Sequence, residues 1–168
     1  MEVSDAAVTY IPTGEGDSIL VMTDLVTVKV RSKVDGAAFA FSEVSTPPLG
    51  GPPALHRHPD QETFYVLEGM FRFDTIQDDR PSSVEATSGA VIHIPGMVWH
   101  NYKNIGKTPG KLLVLLQPGG MIEFFKELGV AVGDQANPPR PSGPPDMARA
   151  MAIMQKHHVE ILAAAVPG

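Results

Sequence analysis

Residues 25–31, LVTVKVR, alternate strictly: Val26, Val28 and Val30 fall on one face, Thr27, Lys29 and Arg31 on the other. A period of two marks a half-exposed strand. SKVDG follows with Asp35-Gly36 as a hairpin turn, and AAFAFSEV reads as the return strand. STPPLGGPPA then breaks regular structure with four prolines and two glycines. Strands are predicted at 56–58 and 63–67, the second ending in a turn at Glu68-Gly69 with MFRFDT as its hairpin partner. QDDRPSS reads as a polar loop. AVIHI is a short strand stopped by Pro95-Gly96. HNYKN and KLLVLLQ complete the set, with IGKTPG as the turn between them.

The pattern changes after residue 117. GGMIEFFKELG places Met121, Ile122, Phe125 and Leu128 on one side of a helix, with Gly129 where a C-terminal cap belongs. GDQANPPRPSGPP cannot be helical. Asp146 then reads as the N-cap of a last helix, in which Met147, Ala150, Met151 and Met154 make an apolar stripe. About nine short strands followed by two helices predict an all-β barrel or sandwich with a helical tail. The expected division is a barrel over 1–117 and a helical extension over 118–168, packed together as one domain.

Composition narrows the partners. The 168 residues suffice for a sizeable core, and 43% hydrophobic content is ordinary for a globular protein. A net charge of −6 with no basic stripe argues against nucleic acid. No apolar run is long enough to span a bilayer. MEVSDAAVTYIP lacks the basic and apolar blocks of a signal peptide, so a cytoplasmic location is expected. There is no cysteine, which excludes a disulfide framework, a thiolate metal site and a cysteine nucleophile. Proline and glycine, 16 of each, supply the frequent turns of a β protein.

The chemistry gathers in LHRHPDQETFYVLEG. His56 and His58 are two apart on a predicted strand, so they share a face about 6.6 Å apart at the backbone. Glu62 shares parity with Phe64 and Val66, an apolar and therefore inward row. A carboxylate there is costly unless paired or bound to a metal. His100 supplies a third imidazole. Three nitrogens and one carboxylate form a ligand set for one divalent first-row metal, with two positions left open if the geometry is octahedral.

These residues carry a resemblance. GGPPALHRHPDQETFYVLEG resembles the first cupin motif through Gly50, His56, His58, Glu62 and Gly69, and GAVIHIPGMVWHNYKN resembles the second through Gly89, Pro95, His100 and Asn104. Met97 stands where the family usually has a second glycine. The resemblance implies a double-stranded jelly roll with the metal in its mouth. QPGGMIEFFKELG and the proline-rich stretch after it look like single-domain bacterial cupins similar to quercetin dioxygenase. That likeness implies His56, His58, Glu62 and His100 as ligands, with Glu62 also the base toward a flavonol hydroxyl. The implied metal is one of Mn, Fe, Co, Ni, Cu or Zn, and the implied assembly is a homodimer.

The expected activity is a metal-dependent dioxygenase using dioxygen on a small enolic or phenolic substrate. Two alternatives stand beside it: a metal-dependent isomerase or lyase, and a non-enzymatic binding or sensing module. Phe64, Tyr102 and Asn104 are candidate pocket residues, the last two by parity with His100. His93 reads as a packed, hydrogen-bonded histidine, and Arg57 as a sheet-surface arginine. His157 and His158 are explained by the dipole of the last helix. Trp99, opposite in parity to His100, is expected to pack on another subunit or the tail helices. Met121, Phe124 and Phe125, with the methionine stripe, read as core or dimer contacts.

Overall fold

The computed structural model describes residues 8–32, 38–139 and 146–162. The predicted turn at Asp35-Gly36 and the end of the proline-rich stretch lie outside the described residues. The first ten strands are β1 (Asp17–Val21), β2 (Asp24–Val30), β3 (Ala40–Thr46), β4 (His56–Arg57), β5 (Gln61–Glu68), β6 (Met70–Gln77), β7 (Arg80–Thr87), β8 (Val91–Ile94), β9 (Trp99–Asn104) and β10 (Gly110–Gln117). Helix α1 (Met121–Leu128), β11 (Val130–Val132), helix α2 (Met147–Lys156) and β12 (Glu160–Ile161) follow. Seven strands form one sheet in the order β11-β1-β2-β3-β10-β5-β8 and five form another in the order β12-β4-β9-β6-β7, with every pairing antiparallel.

The core lies between the sheets, where strand periodicity sends every second side chain. Ala40, Ser42, Val44 and Thr46 of β3 and Gly110, Leu112, Val114 and Leu116 of β10 are buried, and their neighbours in sequence are less so. Phe71 and Phe73 face them from the smaller sheet. The rings of Phe64 and Phe73 stand 5.2 Å apart and those of Phe64 and Tyr102 5.6 Å, spacings that favour tilted aromatic pairs. Burying each such phenylalanine contributes about 1.5–3 kcal/mol.

Several expectations need correction. MFRFDT is not the hairpin partner of the strand before it: β5 pairs with β10 and β8, whereas β6 pairs with β7 and β9. Gly69, at φ +92°, turns the chain from one sheet to the other, and a Cβ there would stand 3.0 Å from the Cα of Gly110. The polar loop QDDRPSS is largely strand β7, paired with β6 from Arg80 to Thr87. In β7 only Ala86 is buried, so no apolar alternation betrays it, and Pro81 is tolerated because β7 is a sheet edge. Strands β1, β11 and β12 were also not expected.

The tail helices differ in facing. Asp146 caps α2 as expected, its carboxylate accepting the Arg149 N–H at 3.0 Å. Met147 and Met151, however, are exposed, and Ile153 is the residue of α2 that is buried. His157 lays its ring 5.8 Å from that of Phe124, and Lys156 and His157 both reach Glu127, at 2.6 and 3.1 Å. Of the methionine stripe, Met154 packs against the core while Met147 and Met151 stay outside it. In α1, Met121, Ile122 and Phe124 are buried, so this helix is anchored in the barrel.

Candidate metal centre

His56 and His100 are direct partners across β4 and β9, and Thr75 of β6 pairs with His100 on the other side. His58 follows β4 by one residue and turns its ring to the same point. The ring centroids lie 4.4 Å apart for His56 and His100, 5.0 Å for His58 and His100, and 5.7 Å for His56 and His58. One ligand nitrogen from each ring lies within 4.8 Å of the others. Glu62 enters from the opposite sheet, on β5 between Ile94 and Leu116. Its Oε2 is 3.2 Å from His100 Nε2 and its Oε1 is 3.7 Å from His58 Nε2. The site thus bridges the two sheets.

The outer nitrogens are already committed. His56 Nδ1 stands 3.1 Å from the Ala54 carbonyl and His100 Nδ1 2.8 Å from the Val98 carbonyl. An oxygen acceptor fixes the proton on Nδ1 and turns the Nε2 lone pair inward, the arrangement in which histidine ligates metals. His58 is buried and neither ring nitrogen has a well-aligned hydrogen-bond partner; His100 Nε2 is likewise unmatched, its contact with Glu62 close but poorly aligned. Buried polar atoms normally find partners. Inward-facing nitrogens without one, beside a carboxylate, fit a metal ion.

Electrostatics follow from burial and from this clustering. Burial, aided by the His100 charge, lowers His56 to about 4. Burial also lowers His58. Burial opposes ionisation of Glu62, but the His100 contact and the three imidazoles together hold its carboxyl at about 2. Burial opposes a charge on His100 too, yet Glu62 outweighs it and raises His100. Glu62 and His100 are therefore coupled, each favouring the charged form of the other.

Phe64 lies two residues beyond Glu62 on the same inward face and is buried. Tyr102 is held by Asp24: its hydroxyl donates to Asp24 Oδ2 at 2.5 Å. Burial and Asp24 push the Tyr102 hydroxyl well above its usual range, and burial raises Asp24 despite the hydrogen bonds it accepts. Asn104 is fully occupied by the backbone, donating to the Thr46 and Thr108 carbonyls at 2.9 Å each and accepting from the Gly106 N–H at 2.9 Å. It braces the turn after β9 and has no polar atom left for a substrate. Asp24 escaped sequence reasoning, since nothing local couples it to Tyr102.

The other singled-out residues are also placed. Arg57 stacks over Trp99 with 4.4 Å from its guanidinium carbon to the ring, and donates twice to Glu160 Oε2 at 2.9 and 2.6 Å. Trp99 thus meets a residue that binds the C-terminal strand rather than the helices. His93 is exposed, hydrogen-bonded to Thr63 at 2.9 Å.

Met97 adopts φ +63°, the left-handed conformation, and its N–H donates to the His58 carbonyl at 2.8 Å. This explains why glycine is usual there. An L-residue in that region carries about 1–2 kcal/mol of strain, partly offset by the entropy glycine loses on folding. Met97→Gly is expected to raise stability by about 0.5–1 kcal/mol, checked by urea unfolding of the metal-free protein. An unchanged or lower midpoint contradicts it.

An antiparallel jelly roll with three converging histidines and a carboxylate between its sheets defines the class: a β-barrel protein able to hold a metal ion. Residues 43–116 match the model of the cupin domain family, to which this part of the chain is similar. No curated protein matches the chain in sequence. Among solved structures it is similar to a Thermotoga maritima protein described as a predicted oxalate decarboxylase, at 17% identity and TM-score 0.55, over 64% of this chain and 97% of that one. It is also similar to hydroxypropylphosphonic acid epoxidase from S. wedmorenis, at 19% identity and TM-score 0.54, over 68% and 61%. A third is oxalate decarboxylase from Lactobacillus farciminis in its formate complex, at 20% identity and TM-score 0.53, over 60% of this chain. The match spans only 30% of that decarboxylase. At these identities the likeness is one of fold.

Proposed function

We propose that the protein is a metal-dependent dioxygenase acting on a small enolic or phenolic compound of flavonol type, with His56, His58, Glu62 and His100 holding one divalent first-row metal. One observation carries this reading: three imidazoles, two of them buried, and one buried carboxylate converge between the two sheets. The all-nitrogen-and-oxygen donor set suits Mn, Fe, Co, Ni, Cu or Zn. When bound, the ion supplies Lewis acidity and a meeting place for substrate and dioxygen. The protein supplies the rest. Glu62, the carboxylate that stands among the three imidazoles, accepts the proton of an acidic substrate hydroxyl. Ile94 and Leu116, buried on either side of Glu62, exclude water from it. His56 is the most accessible of the four and marks the direction of entry.

Oxygen uptake by metal-quantified protein, measured against flavonols, catechols and diketones, tests this. Consumption of oxygen matched to product supports it. Product without oxygen consumption points to an isomerase or lyase, and neither points to a binding module.

A further inference from the structure

The turn between His58 and Glu62 must hold two groups of opposite character at one point. Its own sequence, Pro59-Asp60-Gln61, is too short to fix both. The structure fixes it from outside, at each residue. The His58 carbonyl accepts the Met97 N–H at 2.8 Å. Pro59 packs so tightly on Gly96 that a Cβ there would lie 2.3 Å from the Pro59 carbonyl oxygen. Gln61 donates to the side-chain oxygen of Gln117 at 3.1 Å. Asp60 is buried, and its Oδ2 accepts the N–H groups of Gly119 and Met121 at 2.9 and 3.2 Å.

The Asp60 contact is the one that joins the motif to the C-terminal extension. Gly119 and Met121 lie at the N-terminus of α1, whose N-cap residue Gly120 has no side chain to cap it. Such a terminus leaves backbone donors unmet and favours a carboxylate. Asp60 caps the helix from 61 residues away in sequence. Met121, Ile122 and Phe124 are buried in the barrel, so α1 has its own anchorage. The helix is the fixed partner, and Asp60 takes its position from it.

We propose that Asp60 is a positioning residue for the metal centre: by capping α1 it sets where His58 and Glu62 stand, and so makes the C-terminal extension part of the scaffold of the site. This rests on the metal-binding reading. Outer partners that orient metal ligands are worth ~10–100-fold in affinity. Asp60 orients two of the four candidate ligands by tethering the backbone between them.

The test uses the full chain with Asp60→Ala, Asp60→Asn and Asp60→Ser, titrated with Co(II) or Ni(II) by calorimetry alongside metal-free thermal melts. Asparagine keeps an oxygen at the same reach and can accept both N–H groups. Serine can cap a helix but is one bond too short to reach both donors, and it replaces alanine if that variant does not fold. The expected result is a ~10–100-fold loss of affinity in Asp60→Ala, a smaller loss in Asp60→Ser, and near wild-type affinity in Asp60→Asn. Equal affinity in wild type and folded Asp60→Ala, with only the melt lowered, reduces Asp60 to a helix cap and overturns the proposal. So does an Asp60→Asn variant as weak as Asp60→Ala, since charge and not the hydrogen bonds would then matter. If wild type binds neither ion, the metal reading fails separately. The imidazole ring resonances of the metal-free protein then decide: a shift of the His58 signals in Asp60→Ala that Asp60→Asn restores upholds the positioning role, and unmoved signals overturn it.

Discussion

His100→Ala should strip the centre of its metal while the barrel stays folded. Loss of an orienting partner already costs ~10–100-fold, and loss of a ligand nitrogen should exceed that. The fold should survive because His100 lies outside the aromatic cluster of Phe64, Phe71, Phe73 and Tyr102 that joins the sheets. Its pairing with His56 and Thr75 is through the backbone, which alanine keeps. The pH dependence gives a second readout. Metal competes with protons for His100, whose affinity for them Glu62 raises above the usual 6.5. Wild-type metal affinity should therefore climb as pH rises through neutrality and level off once His100 has lost its proton. In His100→Ala any residual binding should lose that slope, since burial keeps the remaining imidazoles, His56 and His58, below the usual range. Elemental analysis after loading with Mn, Fe, Co, Ni or Zn, with circular dichroism for the fold, measures the first effect; calorimetry at several pH values measures the second. Wild-type protein that retains none of these metals, or a variant that retains as much, contradicts the prediction.

What could be read from the sequence was whatever had a short period or a fixed spacing. The alternation in 25–31 and the apolar run in 111–117 mark β2 and β10, although in β2 Thr27 is buried along with Val26 and Val28, and Val30 only half so. Parity places Glu62 in line with Phe64 and Val66, and all three are buried. His56, His58 and His100 were legible through the fixed spacings of the two motifs, whereas their convergence comes from the pairing of β4 with β9. What was not legible depends on pairing across the fold. β7 is polar because its neighbours cover almost nothing of it. β5 and β6 look like a hairpin because a turn glycine joins two strands, and the sequence does not encode that Gly69 sends them to different sheets. Asp24 and Tyr102 are 78 residues apart, and Asp60 and Met121 are 61 apart. The exposure of Met147 and Met151 follows from α2 lying across α1 through Ile153 and His157, a contact that helical periodicity alone does not orient.

Glu62→Gln should separate chemistry from metal binding. The substitution keeps the side-chain volume at a buried position and one oxygen able to face a metal. It removes the charge that favours a proton on His100 and the basicity that the proposed mechanism needs. An amide is also a donor, and it meets imidazole nitrogens at His58 and His100 that are themselves unmatched. Both effects favour neutral rings, which are the metal-binding form, so metal affinity should fall only modestly. Turnover should fall ~10²–10⁴-fold, the usual cost of losing a general base. The two quantities must be measured on the same samples, with product formation and oxygen uptake expressed per bound metal. A binding module would show some loss of metal and no other change, having no turnover to lose. An isomerase or lyase would lose turnover as well, but its wild type would consume no oxygen. Undiminished turnover per metal in Glu62→Gln would remove Glu62 from the chemistry and leave it a ligand or an ion-pair partner. Metal-replete wild type that takes up no oxygen with any enolic or phenolic compound would end the dioxygenase reading and leave a cupin-like barrel whose bound metal serves another purpose.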